Sequence, residues 1–457
     1  MEIASAGSPC MGLFRIVLLV TALPSLSFAA RPEGSNAPIV PSNLTLDDAI
    51  RIFRTHGFDL LIAEASVASA EGDVASARQI YNPNLGYSFA HIFNYDPVAI
   101  CGKDASQCSP NVHSFTLSDN AAIEDVVAGK RRLRIAVAEA AFRSARMARV
   151  DAQRNLEFQL KSQYVQVALA QSALDFAVDV EKGWNESFGL ANLRYEKGAI
   201  SERDEAQIEA ASLEAAQAVS ENRQTLLVGK AALAFLLGVR EKGGDFEVDR
   251  DLLKFSIPAR LTTANPESLL HDAFELRPDL KAIKAQTERA QAAVAAAKRS
   301  RFPDLALGLG FNYAASGGPL TSSNTTPPTV IVGVSGNLPF FYQQQGEIKK
   351  AEADLRTQMV TLAKTRAQVL SDVQAAHASY AASRERVERM ERRLLDRIRV
   401  QRDLTKLMYE KGASSLLEYL DAQRAFIATN LEYLTDLASY WTAVFQLEQA
   451  VGMEIRR

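Results

Sequence analysis

Apolar positions along this chain follow two periods, and the two periods alternate twice. From Thr45 to about Tyr81 the spacing is helical, opened by Thr45-Leu46-Asp47-Asp48, a capping-box form with Asp48 where Glu or Gln is usual. Pro83 stops that helix. The period then becomes two. Leu85, Tyr87, Phe89, Phe93 and Tyr95 alternate with Gly86, Ser88, Ala90, Asn94 and Asp96, which predicts a strand with one aromatic face and one small polar face. Residues His113–Asn120 alternate again, Phe115 and Leu117 against Ser114, Thr116 and Ser118. From Gly129 to about Glu196 there is no proline, which predicts a helix on the order of 100 Å long. Gly198 breaks it, and Ser201 can cap a return helix to about Leu237. A Gly/Pro-containing connector covers about 238–266.

The second half repeats this order. A helix ends at Pro303. Leu305, Leu307, Leu309, Phe311 and Tyr313 alternate with small residues, and Val330, Val332 and Val334 mark another strand. A second long helix runs from about Gln344 to Tyr409, with coiled-coil-like apolar spacing at Ile348, Ala351, Leu355, Met359 and Leu362, then at Val387, Met390, Leu394 and Ile398. A last helix spans about Ser415 to Val451. The repetition reaches individual residues. Asp59-Leu60 matches Asp279-Leu280, and Pro83-Asn84-Leu85 matches Pro303-Asp304-Leu305. Tyr195-Glu196-Lys197-Gly198-Ala199 returns as Tyr409-Glu410-Lys411-Gly412-Ala413, and Leu237-Gly238 as Val451-Gly452. The chain therefore reads as a first repeat over 30–250, with its hairpin at about 84–122, and a second over 251–457, with its hairpin at about 304–338. A two-fold helical repeat of this kind builds a scaffold and not a catalytic cleft.

Residues 1–29 read as a secretory signal: Phe14-Arg15, an apolar run Ile16–Leu26 too short to span a bilayer, and the small-residue site Ser27-Phe28-Ala29. Glu2 is out of place in a positive n-region, which leaves Met11 as an alternative start. Cys101 and Cys108 are expected to pair as a local disulfide in an oxidising compartment. A formal net charge of −3 with no basic stripe argues against nucleic acid. His56, His91, His113, His271 and His377 have no metal-ligand spacing, and no hydrolase triad, phosphate loop or metalloprotease motif is present. No metal, no cofactor and no enzyme activity are expected.

Four strands of about ten residues with an outward apolar face match membrane β-strands. Four cannot close a barrel, and lipid tolerates no open sheet edge, so several chains must pool their strands. Helices of about 100 Å outreach any bilayer and must project from it. At this point the chain resembles the TolC-like outer-membrane efflux proteins. The resemblance covers the whole mature chain through the order helix, hairpin, long helix, return helix. The run Ala128-Gly129-Lys130-Arg131-Arg132-Leu133-Arg134 is similar to the start of the long helix in the heavy-metal, CzcC-like branch, with Gly346-Glu347-Ile348-Lys349-Lys350 at the equivalent place in the second half.

The resemblance implies a mainly α fold with membrane β. Long coiled-coil-like helices would form a periplasmic tunnel, and four strands per chain would contribute to the twelve-stranded β-barrel of a homotrimer in outer-membrane lipid. It implies a passive exit duct, in a Gram-negative-type outer membrane, for a tripartite system with a periplasmic adaptor (membrane fusion protein) and an inner-membrane pump of the RND type. Heavy-metal cations are the first substrate class, and a type I secretion duct for polypeptides is the alternative. A structural coiled-coil surface protein would lack the two strand pairs, as would the adaptor itself.

The YEKGA turns fall where that family has its periplasmic tip, making Gly198, Ala199, Gly412 and Ala413 adaptor-contact candidates. Glu418 and Asp421 share a face of the last helix, and three copies would set six carboxylates around one pore, a ring that attracts cations and constricts a channel. Asp204 and Tyr409 fit the polar links that couple neighbouring helices at the family's tip. A basic partner expected two residues after the second turn glycine is Ser414 here, which leaves Arg203 as a substitute. Lys130, Arg131, Arg132 and Arg134 oppose the dipole of the helix they open. They either face anionic lipid heads, line the tunnel or sit on a solvated face. Glu385/Arg389 and Glu388/Arg392 read as i,i+4 surface pairs.

Overall fold

The computed structural model describes residues 38–91, 93–94, 96, 111–240, 246–263, 265–314 and 328–455. The signal segment and the pair Cys101 and Cys108 lie outside these residues. The first half comprises β1 (Asn43–Leu44), α1 (Leu46–His56), α2 (Phe58–Arg78), β2 (Asn84–His91), β3 (Asn111–Ser118), the short α3 (Ala122–Val127), α4 (Lys130–Glu196) and α5 (Glu202–Leu236). The connector holds β4 (Glu247–Val248), a 3-10 turn at Arg250–Leu253 and α6 (Ala259–Thr263). The second half comprises α7 (Pro266–Leu276), α8 (Pro278–Arg299), β5 (Leu305–Ala314), β6 (Thr329–Gly336), α9 (Gln345–Arg389), a π-turn at Met390–Leu394, α10 (Leu395–Glu410) and α11 (Leu416–Val451). No described helix is long and apolar enough to cross a membrane.

The helix expected from Thr45 toward Tyr81 is two helices. Thr45 does cap it, accepting the Asp48 N–H at 3.1 Å while its hydroxyl donates to the Asp48 carboxylate at 2.7 Å. The chain breaks at Gly57, where a Cβ would stand 2.6 Å from the Phe53 ring. The second half breaks at Arg277, at the same offset of 220 that relates the two halves in sequence. Each return helix closes back on the break in its own half. Gly238, at φ +80°, lies so close to His56 that a Cβ would come within 2.2 Å of the His56 carbonyl oxygen. Gly452, at φ +84°, lies where a Cβ would come within 3.4 Å of the Arg277 backbone. The Leu-Gly and Val-Gly repeat of the sequence is thus a repeated backbone contact.

The two hairpins merge into one antiparallel sheet of order β2-β3-β5-β6. Register pairs Tyr87 with Phe115, Phe115 with Phe311 and Phe311 with Val330, and likewise Leu85, Leu117, Leu309 and Val332 in sequence across the strands. One face is therefore aromatic and aliphatic, and these side chains are exposed. The other carries Gly86, Ser88, Thr116, Ser114, Gly308, Gly310 and Asn312, with Ser114 donating to Asn312 at 2.5 Å. The sheet ends on β2 and β6, whose outer edges have no strand partner among the described residues.

Two apolar clusters hold the rods together. The larger joins the connector to the middle of α4 and the end of α11 around Tyr164, Leu237, Tyr440 and Phe445. Tyr164 donates to the carbonyls of Leu44 and Asp249 at 2.8 and 3.2 Å, pinning the parallel pair β1–β4 to α4. Buried charge is paired there. Lys161 meets Glu448 at 2.6 Å, and Arg277, 4 % exposed, contacts Asp279 at 2.6 Å, Asp372 at 3.0 Å and the Ala450 carbonyl at 3.1 Å. The smaller cluster lies where α4, α5 and α11 converge near their turns.

Candidate functional site

Both YEKGA segments fold as the same helix stop. Gly198 and Gly412 take φ +69° and +73°, the left-handed conformation that glycine adopts without Cβ strain. The Gly198 N–H bonds the Tyr195 carbonyl at 2.8 Å and the Ala199 N–H bonds that of Arg194 at 2.8 Å; Gly412 and Ala413 repeat this with Tyr409 at 3.0 Å and Met408 at 2.8 Å. This is the Schellman pattern, which satisfies the last carbonyls of each rod and turns the chain within a few residues. A Cβ at either glycine would meet nothing within 4 Å, so the dihedral alone requires glycine.

The chain restarts each time on a serine cap. Ser201 accepts the Asp204 N–H at 3.2 Å, and Ser415 accepts that of Glu418 at 3.3 Å. The Glu418 carboxylate turns back to accept the Ser415 N–H at 3.1 Å, completing a capping box, and it also accepts the Ser414 hydroxyl. That hydroxyl first, and the Ser415 amide after it, hold the Glu418 carboxyl below the ordinary glutamate range. Asp421, one turn on, is exposed.

Tyr409 stands between the two hairpins. Its ring stacks on Tyr419 with centroids 5.1 Å apart and planes 3° from parallel. Tyr419 in turn meets Trp184 of α4 edge-on at 5.9 Å. Leu416 and Leu420 of α11 pack with Ile208 and Ala215 of α5 in the same cluster. Burial pushes the Tyr409 phenol above its ordinary range, the Arg194 guanidinium partly offsets this, and the Asp204 charge adds to the rise. Asp204 and Tyr409, both candidates for the links between helices, thus act on one another electrostatically within one chain. The guanidinium that acts on the Tyr409 phenol is that of Arg194 of α4, whereas Arg203 is exposed and makes no ion pair among the described residues. The available signal was that Arg194 is the basic residue of the last turn of α4.

The charge run that opens α4 divides. Lys130 is clamped by the Asp304 carboxylate at 2.6 Å, the Phe302 carbonyl at 2.7 Å and Glu124 at 3.5 Å. Arg131 donates to the Arg78 carbonyl, and Arg134 forks onto Asp125 at 3.0 Å and reaches the Tyr81 hydroxyl at 2.8 Å. Arg132 makes no such contact among the described residues. The N-cap that corresponds to Gly129 is Gln344, both left-handed, two residues ahead of the glycine matched by sequence. Glu385–Arg389 and Glu388–Arg392 form as expected on the helix surface. His91 and His113 do not join. His91 bonds the Asn111 side chain at 2.7 Å and His113 bonds the Tyr87 hydroxyl at 2.9 Å.

An outward-apolar sheet with open edges, rods far longer than a bilayer and a doubled tight-turn tip define a channel protein with a membrane barrel and a projecting helical tunnel. The chain matches the outer membrane efflux protein family over residues 50–239 and 269–453 and belongs to that family. The two matched segments coincide with the two halves of the fold. Its sequence is 24 % identical over 454 residues to the cobalt-zinc-cadmium resistance protein CzcC of Cupriavidus metallidurans, covering 96 % of this chain and 99 % of that protein. Its fold is similar to that of CusC, at 18 % identity and a TM-score of 0.71 over 90 % of this chain and 92 % of that one. The outer membrane protein VceC of Vibrio cholerae gives a TM-score of 0.68 at 18 % identity, over 90 % and 96 % of the two chains. This is an outer-membrane efflux channel chain with its helical part in the periplasm.

Proposed function

We propose that three copies of this chain pool their strands into a twelve-stranded barrel and form the exit duct of a tripartite system, receiving substrate from a periplasmic adaptor and an inner-membrane pump of the RND type. The carrying observation is the four-stranded sheet with open edges on β2 and β6. Lipid does not tolerate such edges, and neighbouring copies satisfy them. β2 and β6 run in opposite directions, so β6 of one copy meets β2 of the next in the same antiparallel sense as the rest of the sheet. The duct holds no reaction chemistry; the pump supplies energy and most of the selectivity. Heavy-metal cations are the substrate class, supported by the name and near full-length match of the CzcC relative and by the Gly129-Lys130-Arg131-Arg132 run.

The gate of this duct is the helical tip. Glu418 and Asp421 of three copies form an acidic constriction, the Arg194–Tyr409–Asp204 link holds it shut within each chain, and Gly198-Ala199 and Gly412-Ala413 present the turns to the adaptor. Planar-bilayer conductance of the purified protein tests this, comparing wild type with Glu418→Gln/Asp421→Asn, where Gln can still accept the Ser415 N–H and preserve the cap. The expected result is discrete channels whose cation preference falls in the variant. Channels unchanged by the substitutions would remove the gate and keep the duct. A well-folded, membrane-extracted protein with no channel activity would overturn the duct.

A further inference from the structure

We infer that the periplasmic rim of the barrel carries a binding collar for anionic phospholipid headgroups, with Arg132, Arg301 and Lys349 as its cations and exposed aromatic side chains as its apolar edge. β2 and β3 end opposite Gly308, where Asn84 pairs with Ser118 and Ser118 with Gly308, and β5 and β6 continue past them to the pair Leu305–Gly336. The segments just below are cross-tied. Asp119 exchanges backbone and side-chain bonds with Leu307 at 3.0 and 2.7 Å, Lys130 holds Asp304, and Arg299 donates to the Ala128 carbonyl. Lys298 of α8 pairs with Glu352 of α9 at 2.9 Å, which brings the start of α9 to the end of α8.

This cross-tied rim exposes large apolar side chains. Phe341 is fully exposed, Val127 and Phe340 are exposed to 80 % and 75 %, and Phe302 and Tyr342 stand half out. Isolated exposed aromatics are ordinary, but here they continue the outward apolar stripe of the sheet, Val330, Val332 and Val334 leading to Leu338 and Phe340. Aromatic residues at the edge of an apolar membrane band sit at headgroup level. Among the described residues, Arg132, Arg301 and Lys349 are exposed and make no ion pair or hydrogen bond, although their neighbours Lys130, Arg131, Arg134 and Arg299 are all engaged. Arg132 also stands in the first turn of α4, where the helix dipole repels a cation and that turn holds no acidic residue to compensate. Free cations beside exposed aromatics match a surface of phosphodiester anions above hydrocarbon. The leaflet that faces the periplasm offers that surface.

The collar goes beyond the duct reading and needs only that the sheet spans the outer membrane. The test is native mass spectrometry of the full chain purified from the membrane and loaded with a one-to-one mixture of phosphatidylglycerol and phosphatidylcholine. Wild type is expected to retain phosphatidylglycerol preferentially. Arg132→Gln/Arg301→Gln/Lys349→Gln is expected to lose roughly a hundredfold in that preference, about fivefold per cation. The charge-keeping set Arg132→Lys/Arg301→Lys/Lys349→Arg is expected to retain it. Single Gln variants, each about fivefold weaker, serve if the triple variant does not fold. Equal retention by the Gln variants overturns the collar. So does a variant with unchanged lipid binding but altered ion selectivity in a bilayer, because the cations would then line the pore. Displacement of the lipid by millimolar inorganic phosphate would assign the site to free phosphate and also overturn it. Failure of the membrane reading itself would show separately, as wild-type chain absent from the outer-membrane fraction.

Discussion

Single residues do three different jobs in this chain, and their charge alone does not separate them. Glu418 is an exposed carboxylate committed to a helix cap, while Asp421 one turn away is exposed and outside that cap. Arg277 and Asp279 are structural. Burial pushes the Asp279 carboxyl up, but the hydrogen bonds and charge of Arg277, with Arg154 behind it, outweigh burial and hold Asp279 below the ordinary aspartate range. A group depressed in the folded state contributes stability that is present above its unfolded pKa of 3.8 and lost as pH falls through the folded value. Asp279→Asn leaves Arg277 short of a partner in a buried site and is expected to cost about 3 kcal/mol near neutral pH. The difference in melting temperature between wild type and Asp279→Asn is expected to narrow progressively below pH 3.8. A gap that is constant with pH would deny Asp279 this role.

Among the elements, the strands are defined by faces and the rods by ends. Leu309 lies mid-strand on β5, with Leu117 and Val332 beside it on the outward face, whereas Gly308 and Gly310 fall on the other. Leu309→Arg puts a charge against lipid and is expected to destabilise the barrel by about 2–4 kcal/mol, the cost at a bilayer midplane. Gly310→Ser on the polar face is expected to have little effect. Folding into vesicles over a urea series measures both, and equal effects would deny that the two faces see different environments. The second rod differs from the first in one respect. α4 runs unbroken for 67 residues, while α9 and α10 are joined by a π-turn, with α10 burying none of its own residues. Its exposed Val400, Leu404 and Leu407 lie at i, i+4 and i+7, an apolar stripe along one face of α10.

For the whole molecule, the duct reading predicts an assembly of three chains. Sedimentation equilibrium in density-matched detergent is expected to give three times the protein mass of a single mature chain. Cysteines placed in pairs along the outer edges of β2 and β6 are expected to cross-link between copies and not within one. A stable monomer, or β2–β6 cross-links confined to one chain, would sink the pooled barrel. On that reading neighbouring copies cover the open edges of β2 and β6, while the apolar sheet face meets lipid.

The sequence by itself determined the duplication, the strand faces, the lengths of the rods and the two glycine turns, because each rests on local chemistry. Alternation of side chains is a property of a pleated backbone, a left-handed helix stop needs glycine, and Ser-x-x-Glu after it caps the next helix. Only the tertiary structure decided which residues meet. The break at Gly57 was hidden because a glycine inside a helical pattern is tolerated; a Cβ there would meet the Phe53 ring, and the close approach of Gly238 to His56 joins parts of the chain far apart in sequence. Arg203 and Arg194 are equally basic in the sequence, and only the folded chain brings the Arg194 guanidinium near enough to act on the Tyr409 phenol. The run Lys130, Arg131, Arg132, Arg134 reads as one charge cluster, yet groups at Phe302, Arg78 and the nearby Asp125 tie three of them down and leave Arg132 exposed. Local patterns fix the elements because the backbone interacts with its near neighbours. Long-range partners are fixed by geometry that no local pattern encodes.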